Sequence, residues 1–178
     1  LLPRSAKVAR RIQVPTNAVK EEVERRLEVE ADRIDVVPWG VGGEFGVIDD
    51  RKRLDGARKD WSLPEPFVLF VGTLEPKKNI EALIMAFFAA KMNKRFPHTL
   101  VLAGRKGWGM RRLERLIHEH NAREFVLFTD YVPEKVLALM YNLADLCVLP
   151  SHIEGFGMPV LEAFACGCPV LVSDAPAL

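Results

Sequence analysis

Five short apolar runs, spaced from residue 67 onward, constrain the fold more than any other feature of the sequence. They are Phe67 to Val71, Leu100 to Ala103, Phe125 to Phe128, Leu146 to Leu149 and Pro169 to Val172. Uninterrupted runs of this length are typical of strands buried on both faces of a parallel sheet. Helix-like segments separate them, and parallel strands need crossovers that are nearly always right-handed. The pattern therefore predicts an α/β fold built on a doubly wound parallel sheet.

The loops after these runs carry the residues suited to binding a ligand. Residues 72–78, 104–108, 130–132 and 151–157 each follow an apolar run directly. In a doubly wound sheet, ligands bind beyond the carboxyl ends of the strands. Glycines in these loops allow a ligand to approach the backbone closely. We therefore expect the four loops to converge on one shared crevice.

Two glutamates mark the last of these loops. If the segment were helical throughout, Glu154 and Glu162 would lie ~12 Å apart along the axis, at ~1.5 Å per residue. That separation is too large for a paired-carboxylate hydrolase, whose retaining form needs roughly 5 Å. We expect Glu154 in the loop and Glu162 in the first turns of a helix that begins near Pro159, so that they bind different parts of one extended ligand. The amides expected to face its anionic centre belong to Gly155, Phe156 and Gly157.

At these residues the sequence resembles the retaining nucleotide-sugar glycosyltransferases of family 4, which have the two-domain GT-B fold. The element Glu-x7-Glu runs from Glu154 to Glu162, and the resemblance continues in other segments. These are Pro150 to Gly157, Ala165 to Val170, Phe70 to Ile80, Leu102 to Trp108, and Tyr131-Val132. It spans roughly residues 12–178 and is strongest after Phe67. It implies the Rossmann-like, donor-binding half of a GT-B fold.

The resemblance assigns roles to three charged residues. Lys78 matches the lysine that binds the donor phosphates, and Glu162 matches the glutamate that accepts hydrogen bonds from the ribose hydroxyls. Glu154 matches its partner, which contacts the donor sugar near the reacting carbon, so Glu154 and Lys78 are the catalytic candidates. Solvent-exposed roles stay open as the alternative: Lys78 as a solvated lysine at a helix start, and Glu162 as a glutamate favoured by the helix dipole.

Further donor contacts follow from the loops after the other strands. Tyr131 and Val132 match the place where the family holds the base, largely through backbone groups; packing at the rim is the alternative for Tyr131. Gly72 and Gly104 lie in the turns expected to approach the donor. Thr73 stands where many relatives carry an arginine. Arg105 or Lys106 is the candidate to supply the missing charge, and a solvent-facing position for both is equally open.

The first part of the chain predicts a different organisation. We expect a strand over residues 11–14 and a helix over residues 18–29, with Thr16 or Asn17 as the helix cap. A second strand over residues 33–38 follows, and a cluster of glycines comes after it. By resemblance, residues 1–45 are a fragment of the acceptor domain with its hinge. Charges and Pro64 predict a loop or linker over residues 46–66. Residues 67–178 form the nucleotide-sugar domain, which we expect to be truncated at its C-terminus.

Charge and cysteine content exclude several classes of protein. The chain has 25 basic and 24 acidic residues, which is not the basic footprint of a nucleic-acid binder. Three cysteines without disulfide spacing indicate a reduced, cytoplasmic setting and packing roles. The chain contains no Asp-x-Asp element, which agrees with the metal-independent chemistry of the family. We therefore expect no cofactor and no metal, and peripheral membrane contact of the full-length protein on the cytoplasmic face stays open.

These observations predict the donor-binding part of a retaining, metal-independent glycosyltransferase. Its partners are a nucleotide diphosphate sugar, from which a hexosyl unit is transferred, and a glycan or lipid-linked acceptor. We expect this part alone to bind the donor without turnover. A non-catalytic nucleotide-sugar binding module or scaffold is the alternative, because it would use the same pocket. A GT-B epimerase or phosphorylase has less support from the motifs.

Overall fold

The computed structural model describes residues 2–92 and 96–178. The chain forms two compact units. The first contains the residues up to Gly40 together with Ile153–Gly157 and Asp174–Leu178. The second contains the described residues of Val41–His152 and of Met158–Ser173. This division does not test the functional domain boundaries expected from the sequence, which stay predictions.

The first unit is a small α/β arrangement. Its elements are helix α1 (Leu2–Val8), strand β1 (Ile12–Val14), helix α2 (Asn17–Leu27) and strand β2 (Ile34–Val36). The two strands pair in parallel. Helix α2 begins after Thr16, whose hydroxyl accepts a hydrogen bond from the amide of Val19 at 3.2 Å. The predicted strands and helix are confirmed here, with Thr16 as the cap.

The second unit contains five strands and five helices among its described residues. They are α3 (Arg51–Asp60), β3 (Phe67–Val71), α4 (Ile80–Lys91), β4 (Thr99–Ala103), α5 (Met110–Glu119), β5 (Val126–Asp130), α6 (Glu134–Leu143), β6 (Leu146–Leu149), α7 (Met158–Ala165) and β7 (Val170–Val172). All strand pairs are parallel, in the spatial order β5-β4-β3-β6-β7. The predicted doubly wound sheet is therefore confirmed.

Burial follows the position of each strand in the sheet. Every residue of β3 is buried, and β4 and β6 have only their first residue partly exposed. The edge strands differ, because β5 is mostly half-buried and Leu171 in β7 is 57% exposed. The expectation of strands buried on both faces holds for the three central strands and is wrong for the two at the edges, which have a neighbouring strand on one side only.

Helix α3 corrects the prediction of a loop over residues 46–66. Asp50 caps this helix by accepting a hydrogen bond from the amide of Arg53 at 3.1 Å. Ala57 is its only buried residue, and its apolar pattern is limited to Leu54, Ala57 and the C-cap Trp61, at i, i+3 and i+7. Its arginines and lysines are nevertheless good helix formers, and an aspartate cap stabilises the first turn. The loop prediction is wrong here because it took the charges and the few apolar residues as signs of irregular structure; the role of this segment as a linker between domains stays a prediction.

The three cysteines lie in the core of the second unit. Cys147, Cys166 and Cys168 are all buried and none forms a disulfide. Burial raises the pKa of the Cys168 thiol to about 11, which keeps it protonated at neutral pH. The prediction that they are packing residues is confirmed.

None of the described helices combines the length and the apolar character that crossing a membrane requires.

Candidate functional site

The sheet reverses its strand order at β3, the central strand of the five. Strand β3 pairs with β4 on one side and with β6 on the other. The loops after β3 and β6 therefore begin side by side at the carboxyl edge. A backbone hydrogen bond joins them, from the amide of His152 to the carbonyl of Lys77 at 2.8 Å.

Two glycines at this edge allow adjacent loops to approach closely. Gly72 follows β3 with φ of 145°, and Gly104 follows β4 with φ of 154°. A Cβ on Gly104 would lie 1.9 Å from the carbonyl oxygen of Gly72, far inside any real contact. The amide of Gly72 donates to the carbonyl of Ala103 at 2.9 Å. The sequence has glycine at position 104 because a side chain there would collide with the neighbouring backbone.

The pairing of these loops continues beyond the sheet. The amide of Leu74 donates to the carbonyl of Arg105 at 2.9 Å, and the amide of Gly107 donates to the carbonyl of Leu74 at 3.2 Å. Leu74 and Lys106 form an isolated parallel bridge. Backbone hydrogen bonds therefore fix both loops, so the side chains on either side of Leu74 have defined positions.

A cleft of about 300 Å³ opens at the ends of three adjacent strands. We call it the strand-end cleft. Its lining residues follow or end β3, β4 and β5, with one residue from α6: Val71, Gly72, Thr73, Ala103, Gly104, Arg105, Tyr131, Val132 and Leu137. Six of the residues that the sequence predicted as donor contacts lie together here, namely Gly72, Thr73, Gly104, Arg105, Tyr131 and Val132. Their roles toward a ligand stay predictions.

A cation and an aromatic ring form the rim of this cleft. The guanidinium carbon of Arg105 lies 4.9 Å from the centre of the Tyr131 ring, over its face. Tyr131 is 58% exposed, whereas Val132 is buried. The ring quadrupole attracts the guanidinium and favours its position over the ring. The cleft therefore has a positive charge at its mouth, next to the turn that contains Thr73.

Lys78 lies beside the same turn. It ends a short 3-10 turn over Pro76–Lys78, and Asn79 follows with φ of 54° before α4 begins. A Cβ on Gly72 would be 3.8 Å from Cε of Lys78, so the lysine stem passes over this glycine. The sequence placed Lys78 at a helix start; the structure places it just before the helix, with its side chain directed back toward the end of β3.

Lys106 is separated from the strand-end cleft. It lines a different hollow of about 710 Å³ between α5 and β5. Its Nζ lies 3.8 Å from Oε1 of Glu114 on α5. Of the two candidates to replace the missing family arginine, only Arg105 lies in the cleft.

Glu162 lies on α7 and is bound by a tyrosine of α6. The hydroxyl of Tyr141 donates to Oε2 of Glu162 at 2.8 Å. Burial raises the pKa of Glu162, the bond from Tyr141 lowers it, and the carboxylates of Glu134 and Glu44 raise it again, with a net upward shift. The carboxyl group is thus oriented by a buried donor and is half-exposed, as a ligand-binding group must be.

The loop of Glu154 belongs to the first unit, as do Gly155, Phe156 and Gly157. The hydroxyl of Thr16 donates to the carbonyl of Gly155 at 3.0 Å. The ring centres of Trp39 and Phe156 lie 5.5 Å apart at an interplanar angle of 56°. Glu154 is in a loop and Glu162 in a helix, as predicted, but they lie in different units. Their action on one ligand stays a prediction.

Tyr141 and Leu137 are the residues of the site that sequence reasoning missed. Leu137 lines the strand-end cleft and Tyr141 binds Glu162. They are four residues apart on α6 and so share one face of the helix. This spacing was the sequence signal that could have placed both residues on one side of α6. A buried tyrosine usually has a hydrogen-bond partner for its hydroxyl, which would have been the reason to look for one.

Comparison with known proteins decides the family. The sequence profile described as "Glycosyl transferases group 1" matches residues 53–178. The chain belongs to the group 1 glycosyltransferases. This segment includes every strand of the five-stranded sheet and all the lining residues of the strand-end cleft. The glycosyltransferase resemblance of the motifs is confirmed at this level.

Two curated relatives of this glycosyltransferase come from Escherichia coli. The serotype-specific mannosyltransferase WbdA is 36% identical over 168 residues, covering 92% of this chain and 20% of WbdA. The O-antigen chain mannosyltransferase B is 31% identical over 159 residues, covering 89% of this chain and 42% of that protein. The chain thus spans less than half the length of either relative.

A solved structure supports the same fold. Sucrose-phosphate synthase from Thermosynechococcus elongatus superposes with a TM-score of 0.76 and is 32% identical. The match covers 98% of this chain and 43% of the synthase. The glycosyltransferase therefore has the α/β architecture of the GT-B enzymes, as the sequence predicted.

Proposed function

We propose that this glycosyltransferase chain is the donor-binding part of a retaining, metal-independent enzyme of family 4. In this proposal it binds a nucleotide diphosphate sugar, and the intact enzyme transfers the hexosyl unit to a glycan or lipid-linked acceptor. The observation that carries the proposal is the strand-end cleft. It is lined by six predicted donor contacts from the ends of three adjacent strands.

The charges around the cleft suit a diphosphate. Negative charge grows on the leaving phosphate oxygen as the glycosidic bond breaks, so fixed positive groups near that oxygen lower the barrier. Lys78 passes over Gly72, and Arg105 lies at the mouth of the cleft. We propose that Lys78 binds the phosphates and that Arg105, rather than Lys106, supplies the charge that Thr73 lacks. Lys106 forms an ion pair with Glu114 in another hollow.

Glu162 is proposed to accept hydrogen bonds from the ribose hydroxyls. Tyr141 binds one carboxylate oxygen, Oε2, and so orients the group. A hydrogen bond to a charged group contributes roughly 1.5–3 kcal/mol. Loss of Glu162 should therefore weaken donor binding about ten- to a hundredfold. Tyr131 and Val132 are proposed to contact the base, through the ring face and the backbone.

Glu154 is proposed to contact the donor sugar and to stabilise positive charge at the reacting carbon. The amides of Gly155, Phe156 and Gly157 complete the proposed donor contacts. In retaining transfer, the leaving phosphate assists the incoming hydroxyl on the same face of the sugar. We propose that Lys78 and Arg105 stabilise that phosphate in place of a metal, and that no cofactor takes part. We propose that the chain alone binds the donor without turnover.

Calorimetric titration of the chain with a panel of nucleotide sugars tests donor binding. GDP-mannose is the first donor to try, because two relatives are named mannosyltransferases. Lys78→Ala and Glu162→Ala should each weaken binding at least about tenfold. Lys77→Ala is the matched control, because Nζ of Lys77 pairs with Oε1 of Glu75 at 3.0 Å. Unchanged binding in Lys78→Ala and Glu162→Ala, or equal loss in Lys77→Ala, would overturn the assignment.

The intact enzyme tests the reaction itself. Proton NMR of the product should show the anomeric configuration of the donor sugar, and chelation of divalent metals should leave the rate unchanged. An inverted product rules out the retaining mechanism, and loss of activity on chelation rules out metal independence. Neither result bears on the donor-binding assignment, which titration tests independently.

A further inference from the structure

A second hollow, of about 270 Å³, lies beside the strand-end cleft. Trp108 lines it, and we call it the Trp108 hollow. Its other lining residues come from the loop after β3, the start of α4, the start of α5 and the loop after β6: Glu75, Pro76, Asn79, Ile80, Glu81, Gly109, Arg112, Leu113 and His152. None of these residues has a part in the proposed donor site.

The loops of the strand-end cleft continue into this hollow. Residues 72 and 73 line the cleft, and residues 75 and 76 of the same loop line the hollow. In the next loop, residues 104 and 105 line the cleft, and residues 108 and 109 line the hollow. Leu74 pairs with Lys106 between these two sets. A molecule in the hollow would therefore lie one loop segment away from the proposed donor.

Trp108 gives the hollow a flat apolar surface. The side chain is 70% exposed, although it is the largest type of apolar side chain. It lies in the turn Gly107-Trp108-Gly109. A Cβ on Gly107 would lie 2.8 Å from the carbonyl oxygen of Leu74, and one on Gly109 would lie 3.2 Å from Cγ of Pro76. The turn is thus packed closely against the loop after β3, while the indole remains available for contact.

Carboxylates and their ion-pair partners surround this surface. Oε2 of Glu81 lies 2.8 Å from Nε of Arg112, and Oε1 of Glu75 lies 3.0 Å from Nζ of Lys77. Ion pairing orients both carboxylates, each of which keeps acceptor sites for further hydrogen bonds. The two ion pairs leave no excess positive charge among these four side chains to attract a phosphate, so a second nucleotide is disfavoured here. Hydroxyl groups, in contrast, donate charge-assisted hydrogen bonds to carboxylates.

We propose that the Trp108 hollow binds a neutral saccharide, as a subsite for sugar residues of the glycan acceptor. An aromatic face together with a few placed polar groups is the combination by which protein sites bind and orient small ligands. The C–H face of a pyranose ring packs on the indole of Trp108, and its hydroxyls donate to Glu75 and Glu81. That the saccharide belongs to an acceptor rests on the proposed glycosyltransferase function.

Saturation-transfer difference NMR of the full chain with mannobiose, in the absence of nucleotide, tests the proposal. We expect weak binding, with a dissociation constant on the order of 1 mM, and transfer from aromatic protons. Trp108→Ala should reduce the signal about tenfold, and Trp108→Phe should retain part of it. The matched control is Trp39→Ala, the other strongly exposed tryptophan, at 57%; it should leave the signal unchanged.

Titration with the nucleotide sugar separates this subsite from the donor site. Trp108→Ala should keep donor binding, which also shows that the variant is folded, and Glu162→Ala should lose donor binding while keeping the saccharide signal. Three outcomes would overturn the subsite. The parent chain does not bind the saccharide, or Trp108→Ala binds the saccharide as well as the parent does, or Trp108→Ala loses donor binding. Saccharide binding without any nucleotide binding supports the subsite and instead refutes the proposed donor function.

Discussion

The hydroxyl of Tyr141 donates a hydrogen bond to Oε2 of Glu162, at 2.8 Å. Tyr141 is fully buried and Glu162 is half-exposed, so a core residue orients a carboxylate that faces solvent. The tyrosine belongs to the same helix face as Leu137, one turn away, which lines the strand-end cleft. Helix α6 thereby connects the packing of the core to both parts of the proposed donor site.

Tyr141→Phe tests this connection. The free energy of unfolding should fall by about 1 kcal/mol, the usual net contribution of one hydrogen bond. Donor binding should weaken severalfold, but less than in Glu162→Ala, because the carboxylate remains and has lost only its orientation. Tyr131→Phe is the matched control, since the chain has two tyrosines and this one is 58% exposed. Denaturant titration and calorimetry measure both effects; a fully stable Tyr141→Phe would contradict the role of the bond.

Glu162→Gln tests the electrostatic cost of this carboxylate. Burial raises the pKa of Glu162, so the fold destabilises its ionised form relative to the unfolded chain. The stability that protonation contributes is present at acid pH and is lost as the pH rises through the window between the ordinary and the raised pKa. Glu162→Gln, which can still accept from Tyr141, should therefore melt at a higher temperature than the parent at neutral pH, with weaker donor binding.

Thermal unfolding across the acid-to-neutral range measures this difference. The gap in melting temperature between Glu162→Gln and the parent should shrink as the pH falls. Glu119→Gln, at an exposed position of α5, is the control for removal of a negative charge. A gap of the same size at all pH values would show that ionisation of Glu162 does not affect stability.

The chain order of strands and loops could be predicted from the sequence, because apolar runs mark buried parallel strands and ligand loops follow them. The predicted runs Phe67 to Val71 and Leu146 to Leu149 coincide with β3 and β6. Helix α3 could not be found this way, since its only buried residue is Ala57. The sequence signal for this helix was the cap at Asp50. A single capping residue is a weak indication of a helix when the residues after it are mostly charged and suggest a loop.

The candidate site was predictable where it depends on the strand ends and not where it depends on distant contacts. Gly72 and Gly104 meet because β3 and β4 are neighbours. The hydrogen bond from Thr16 to Gly155 joins residues 139 positions apart, and nothing in the local sequence of either residue indicates it. The direction of Lys106 toward Glu114 likewise depends on the path of α5.

Gly104→Ala tests the close approach of the loops after β3 and β4. A Cβ at this position would lie 1.9 Å from the carbonyl oxygen of Gly72, and φ of 154° is unfavourable for an L side chain. The clash involves backbone, which cannot move without breaking the hydrogen bonds around it. We expect a loss of at least about 3 kcal/mol in the free energy of unfolding.

Two other glycine substitutions serve as controls for this prediction. Gly72→Ala has the same kind of φ, 145°, but its nearest contact is 3.6 Å, so it measures backbone strain without the clash. Gly56→Ala, in α3 with nothing within 4 Å, should stabilise the chain by about 0.5–1 kcal/mol. Equal losses in Gly104→Ala and Gly72→Ala would show that φ, rather than the approach of the loops, determines the requirement for glycine.

Thr16 makes two separable hydrogen bonds, and its variants can tell them apart. The hydroxyl accepts from the amide of Val19, which caps α2, and donates to the carbonyl of Gly155. Thr16→Ser keeps both bonds. Thr16→Asp keeps the cap, because its carboxylate accepts, and loses the bond to Gly155, because it has no proton to donate. Thr16→Val loses both and should cost about 1 kcal/mol through the cap alone.

The amide of Phe156 follows the Gly155 carbonyl in the same peptide group and so senses this second bond. Its NMR chemical shift should change in Thr16→Asp and Thr16→Val and stay close to the parent in Thr16→Ser, while helix α2 remains protected from hydrogen exchange in Thr16→Asp. An unchanged Phe156 amide in Thr16→Asp would mean that the hydroxyl does not hold this loop. Since Phe156 also packs on Trp39, the loop of Glu154 would then owe its position to that ring contact.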